Sequence, residues 1–208
     1  MNGRPSRESV LTALFNKLVA SVQTSFTADT GAQSQTLANP STTTGLFLGL
    51  PVFGTGIPRG AVITSLSPLT ISDAATANAL QVSLTTGFLT TGRRLQLWTK
   101  VASQPALFLR EDDEELEYIQ TILQRQTIHV EVWIYSKSGQ DPDLAPAIAL
   151  NNLLDAVQAA FAPDNPQRNL FTLGSLVEWC RIEGKIEKFP GDLDGQAAAI
   201  VPVLITVP

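Results

Sequence analysis

One histidine, one cysteine and one block of five consecutive acidic residues are the side chains of this 208-residue chain whose types could do chemistry. The block, Glu111, Asp112, Asp113, Glu114 and Glu115, is a candidate for metal binding or acid–base work. Contiguous carboxylates in an extended chain, however, point alternately to opposite sides. They also lack the spaced Asp/Asn ligands and the glycine of a calcium loop, so a solvated surface is the expectation. His129 lies between Ile128 and Val130 on the polar side of an alternating run. No Gly-x-Ser-x-Gly elbow accompanies it, and a packing role on a strand face is expected rather than that of a catalytic base. Cys180, in Glu178-Trp179-Cys180-Arg181-Ile182, reads as a small buried hydrophobe. The run Gly54-Thr55-Gly56-Ile57-Pro58-Arg59-Gly60 lacks the Gly-Lys-Ser/Thr ending of a phosphate loop and reads as turn chemistry. Asp192-Leu193-Asp194-Gly195-Gln196 reads as a tight loop, with calcium binding a weaker alternative. Together these readings imply a protein that is not an enzyme and has no catalytic, cofactor-binding or metal site.

The formal net charge is −5 and the sequence pI about 4.8. That balance argues against a nucleic-acid groove, which would need clustered Lys and Arg. No run of eighteen apolar residues is present to span a bilayer as a helix. The start, Met-Asn-Gly-Arg-Pro-Ser-Arg-Glu, leads into an amphipathic pattern rather than a signal-peptide core. A single cysteine excludes an intrachain disulfide and suits a reducing compartment. A soluble protein made in a cytoplasm is the expectation.

The elements that must position these residues fall into two compositions. Residues 27–92 carry only Asp29, Arg59 and Asp73 as charges, while the flanking sequence is charged normally and resumes with Arg93 and Arg94. The break predicts a small β-rich module, 27–92, inserted in a discontinuous domain of residues 1–26 and 93–208. Ser6 is a plausible N-cap with Glu8 in the first turn, and Leu11, Leu14, Phe15, Leu18 and Val22 predict a helix over 7–25. Residues 27–44 read as a polar linker, followed by short strands at 46–52, 61–66, 69–72 and 80–84. The last has Leu80, Val82 and Leu84 facing one way. Strands are predicted at 94–101 and 106–110, and 116–126 is ambiguous between a short helix and an extended arm. Thr127–Ser136 is the clearest strand, with Ile128, Val130, Val132 and Ile134 on one face and His129, Glu131, Trp133 and Tyr135 on the other. A turn at Ser138–Pro142 precedes a second helix over 145–161 that has Pro146 in its first turn. Strands at 177–183 and 199–207, with a short partner at 185–188, end the chain. Two amphipathic helices require a common sheet to cover. The expected fold class is therefore α+β, a mixed or antiparallel sheet covered by two amphipathic helices, with an inserted small all-β barrel or sandwich.

Several stretches, in order, resemble a known family. They are Arg94-Leu-Gln-Leu-Trp98 leading to Pro105-Ala-Leu-Phe-Leu109, then Val130-Glu-Val-Trp-Ile-Tyr135, then Leu150-Asn-Asn-Leu-Leu-Asp155. Leu173-Gly-Ser-Leu-Val177 with Cys180-Arg-Ile-Glu-Gly184 follows, and Asp192-Leu-Asp-Gly-Gln196 precedes Ile200-Val-Pro-Val-Leu-Ile205. This series resembles the tail terminator (tail completion) proteins of long-tailed bacteriophages. Leu50-Pro-Val-Phe-Gly54, Gly56-Ile-Pro-Arg-Gly60, Leu69-Thr-Ile-Ser72 and Ala74-Ala-Thr76 resemble a short β-module of phage structural proteins, which a plain terminator lacks. The resemblance implies a virion protein made in the host bacterial cytoplasm. It would form a homo-oligomeric ring, commonly a hexamer, at the head-proximal end of the tail tube. Its partners would be the tail tube protein and the head–tail connector proteins, with no membrane. DNA would pass through the bore unbound, past an acidic lining supplied by Glu111–Glu115. Candidate subunit contacts are Arg93, Arg94 and Arg110 as ion-pair partners and Trp133 and Tyr135 as aromatic anchors. The alternative is another tail or connector component, or an accessory that binds a host surface through residues 27–92. That segment offers Phe47, Phe53 and Phe88 but no Trp or Tyr for a sugar platform.

Overall fold

The alternating run around Val132 becomes the centre of the largest sheet. In the computed structural model, which describes residues 4–118, 124–137, 147–191 and 195–208, β9 (Gln124–Lys137) buries Ile128, Val130, Val132 and Ile134 on one face, as their period of two requires. β8 (Ala106–Tyr118) and β12 (Gln196–Val207) flank it, both antiparallel. β10 (Trp179–Ile182) and β11 (Glu187–Phe189) both pair with β12, and β7 (Thr90–Gly92) joins β8 in parallel. A second sheet has the order β2 (Leu37–Ala38), β1 (Ser25–Thr30), β6 (Ala79–Thr86), β3 (Val52–Gly54); β4 (Ile63–Leu66) and β5 (Leu69–Ile71) form a third.

The expected α+β layer, with two helices covering a sheet and an all-β domain inserted, is not what forms. Among the described residues there are twelve strands in three sheets, against α1 (Arg7–Ala20), α2 (Ile148–Ala159) and a single 3-10 turn at Trp98–Lys100. The chain is mostly β. Three local departures account for the difference. The polar stretch expected to be a linker is strand at 25–30, where Phe26, Ala28 and Thr30 alternate into the interior. The predicted strand at 94–101 is instead irregular chain ending in the 3-10 turn. The ambiguous region 116–126 is extended wherever it is described, and the acidic block itself lies in β8.

The core also ignores the compositional break. Ile63, Ile71 and Leu84 from the weakly charged segment belong to one buried cluster with Leu14 of α1, Leu107 and Val132 of the large sheet, and Leu154 of α2. Each such fully buried side chain contributes about 1.5–3 kcal/mol. Gly49 shows how close the approach is: its φ is +84°, and a Cβ there would lie 2.8 Å from the Ala149 Cβ of α2. Leu89 N–H donates to Pro105 O at 2.9 Å on the way into β8.

α1 starts as its sequence requires, with the Ser6 hydroxyl accepting from Ser9 N–H at 3.1 Å. It stops five residues early because β6 captures the chain from Ser25 onward. Buried Thr86 makes that turn, donating its hydroxyl to Val22 O at 2.7 Å and accepting from Thr24 N–H at 2.9 Å. Beyond α2, Asp164 accepts from Thr172 N–H and Gly174 N–H, both at 2.7 Å, and from the Thr172 hydroxyl at 2.8 Å. Burial opposes its charge, but these donors outweigh it and hold the carboxyl below the usual aspartate range.

Candidate functional site

The acidic block rides on the distal half of β8, where every residue from Arg110 to Tyr118 is exposed. Pairing with β9 holds this half as a hairpin arm. A bulge falls within it: Glu111 faces Val130 and Glu114 faces Ile128, so Asp112 and Asp113 together oppose His129. Register then distributes the carboxylates between two surfaces. On the side toward α1, the Arg93 guanidinium bridges Glu111 and Glu8. On that same side Arg7 Nε donates to Glu114 Oε2 at 2.7 Å, as does Gln126 Nε2. Burial works against the Arg93 charge, yet its bonds to Glu111 and Glu8 prevail and raise its pKa. A hydrogen bond from Thr12, then one from Arg93, lowers that of Glu8.

On the opposite side, Arg110 donates to Glu131 Oε2 at 2.9 Å and lies 3.8 Å from Asp112. Trp133 Nε1 donates to the same Glu131 oxygen at 2.8 Å. Among the described residues no cation pairs with Asp113, Glu115 or Glu117. The five carboxylates expected to act as one lining therefore divide, and three of them, Glu111, Asp112 and Glu114, have cations within the chain.

The candidate contact residues divide as well. Arg93 and Arg110 are engaged internally, whereas Arg94 is exposed and, among the described residues, has no acidic partner. Tyr135 is buried in its own chain, with its hydroxyl donated to Gln96 O at 2.9 Å and its ring 5.8 Å from that of Phe108. Burial pushes its phenol pKa up. As a free anchor Tyr135 is corrected: it props the segment 95–101 over one end of the sheet. Trp133 stays half exposed and lines an apolar groove of about 290 Å³ with Leu95, Leu97, Trp98, Phe189 and Ile200. Sequence reasoning missed this groove because Leu97 and Trp98 were assigned to a strand; the alternation Leu95, Leu97 ahead of Trp98 was the available signal.

His129 is half-buried on the open side of β9 and Cys180 is buried, its thiol pushed well up by desolvation and by the Asp164 charge. A raised thiol pKa leaves little thiolate to attack anything. The Gly54–Gly60 run is turn between β3 and β4, with Gly56 at φ +80°. The turn at Ser138–Pro142, the helix-start residue Pro146 and Asp192–Asp194 lie outside the described residues. Among the described residues no group of three His, Cys, Asp or Glu is placed to hold a metal, and no helix is long and apolar enough to cross a membrane.

No family model matches this chain, and no curated protein matches it. The arrangement therefore has to be interpreted from its own geometry: an arm with unpaired carboxylates at one end of a sheet, and an exposed apolar groove at the other.

Proposed function

We propose that this chain is a structural component of a long-tailed bacteriophage tail. It assembles with copies of itself into a ring that caps the head-proximal end of the tail tube and meets the head connector. The observation that carries the reading is the large sheet's second face. Trp133, Ile200, Pro202 and Leu204 stay half-buried in the isolated chain, and the groove beside them holds exposed Leu97 and Trp98. A surface of this kind on a single chain favours a further protein layer. The resemblance of the ordered sequence stretches to tail terminators supports a further copy of this chain as that layer. In such a ring Asp113 and Glu115 are the best candidates for a wall that repels passing phosphates, because Glu111, Glu114 and Asp112 are already held by Arg93, Arg7 and Arg110.

The test is electron microscopy of tail tubes polymerised from the same virion's tube protein, with and without this chain. Under this reading, tubes acquire a cap at one end and cease to lengthen. Tubes that grow unchanged and bind none of the protein would refute it.

A further inference from the structure

We propose that the outer face of the second sheet, around Phe53, holds a site for one neutral sugar ring. The site is independent of the ring reading and uses no part of the large sheet.

Cross-strand register builds it. Ser25 of β1 lies opposite Thr85 of β6, and Thr85 lies opposite Phe53 of β3. Side chains in one cross-strand row share a face. The neighbouring positions Phe26, Leu84 and Val52 are buried and take the core side, so Ser25, Thr85 and Phe53 stand together on the outside. Gln23, Gly87 and Phe88, just beyond the row, line with them a cavity of about 230 Å³. Gly87 sets its shape. A Cβ there would lie 3.7 Å from Phe53 Cε2 and 3.7 Å from Gln23 Cγ, so the missing side chain leaves open the space between that ring and that amide.

The lining selects the ligand. No charged side chain of the described residues lines the cavity, and an ion entering it would lose water without meeting a counter-charge. The side chains of Gln23, Ser25 and Thr85 make no hydrogen bond among the described residues. A purely apolar guest would strip water from them and return nothing. The guest that fits both conditions has an apolar face and an edge of hydroxyls. A pyranose has both: its axial C–H groups lie against the negative face of an aromatic ring, here half-buried Phe53. Its equatorial hydroxyls donate to, and accept from, the Gln23 amide and the Ser25 and Thr85 hydroxyls. A cavity of about 230 Å³ takes one such ring rather than a run of them. A phenyl platform is smaller than the indole of Trp, so a dissociation constant near about 1 mM is expected.

The test is saturation-transfer NMR on the full chain with methyl glucoside, methyl galactoside, methyl mannoside and N-acetylglucosamine, each at about 10 mM, well above a millimolar Kd. At least one should receive saturation, strongest at the C–H protons of a single ring face. Gly87→Val, which puts methyl groups into the cavity, should abolish the signal. Phe53→Ala should weaken binding about tenfold, and Gln23→Ala and Thr85→Ala about threefold each. Gln23 and Thr85 are exposed, so these two variants should melt with the wild type and separate loss of binding from loss of fold. No transfer to any of the four sugars would overturn the site. So would a signal that Gln23→Ala, Thr85→Ala and Phe53→Ala all leave unchanged.

Discussion

On one face of the six-stranded sheet Leu107, Leu109, Ile128, Val130, Val132 and Ile134 are buried in a core shared with both helices and with residues 27–92. On the other face, His129, Glu131 and Trp133 of β9 and Ile200, Pro202 and Leu204 of β12 are only half-buried, and a small second core around Phe108 and Tyr135 covers just one end. The same strands build both. The covered face satisfies itself within one chain, and the open face keeps apolar surface at a cost that folding alone does not recover. The stabilising core and the proposed assembly surface thus lie on opposite sides of one set of strands.

Four experiments test how sharp that division is. The largest effect is expected from deleting residues 28–91, which removes Ile63, Ile71, Leu84 and their neighbours from the shared core. The remainder should show no cooperative thermal transition, and a sharp transition would mean that the covered face needs no such help. Next, Leu107→Ala, fully buried on the covered face, should cost about 2–5 kcal/mol in denaturant titration. Asp164→Asn should cost about 1 kcal/mol near neutral pH through lost loop hydrogen bonds. Because the folded carboxyl titrates below its unfolded value, its contribution is complete above a pH of about 4 and is lost as pH falls through the folded pKa. Wild-type and variant melting curves should therefore converge in acid. Smallest of all, Leu204→Ser on the open face should change stability by less than about 1 kcal/mol. A loss comparable with that of Leu107→Ala would erase the distinction between the faces.

The covered face was the legible one. Leu11, Leu14 and Leu18 at helical spacing behind Ser6, and the alternation through Val132, announce α1 and β9 because burial imposes its period on the residue types. β1 was hidden, since its inward positions after Phe26 are Ala28 and Thr30, too small or polar to mark a strand. Leu80 was misplaced for a different reason. Asp29 accepts from Gln81 N–H at 2.8 Å, and Gln81 sits at φ +50°, a bulge that turns Leu80 outward to 82 % exposure. The acidic block gave no strand signal at all, because pairing to β9 and cations from α1 and Arg93 hold it extended. Its residues stand out in the sequence, but cross-strand register, which decides their surface, depends on partners distant in the chain. The groove was illegible for the same reason, being assembled from β9, β11, β12 and an irregular segment.

The bulge at Asp112 and Asp113 has an evolutionary consequence. Because two residues there stand opposite one, the arm holds a spare position. Losing either aspartate would straighten the strand and leave Glu114 facing Ile128 and Leu116 facing Gln126, with every later side chain on its present surface. Losing any one residue between Glu115 and Glu117 would instead turn the rest of the arm over. Related chains should therefore vary in length by one residue at 112–113, and hold their length fixed from Glu114 to Tyr118.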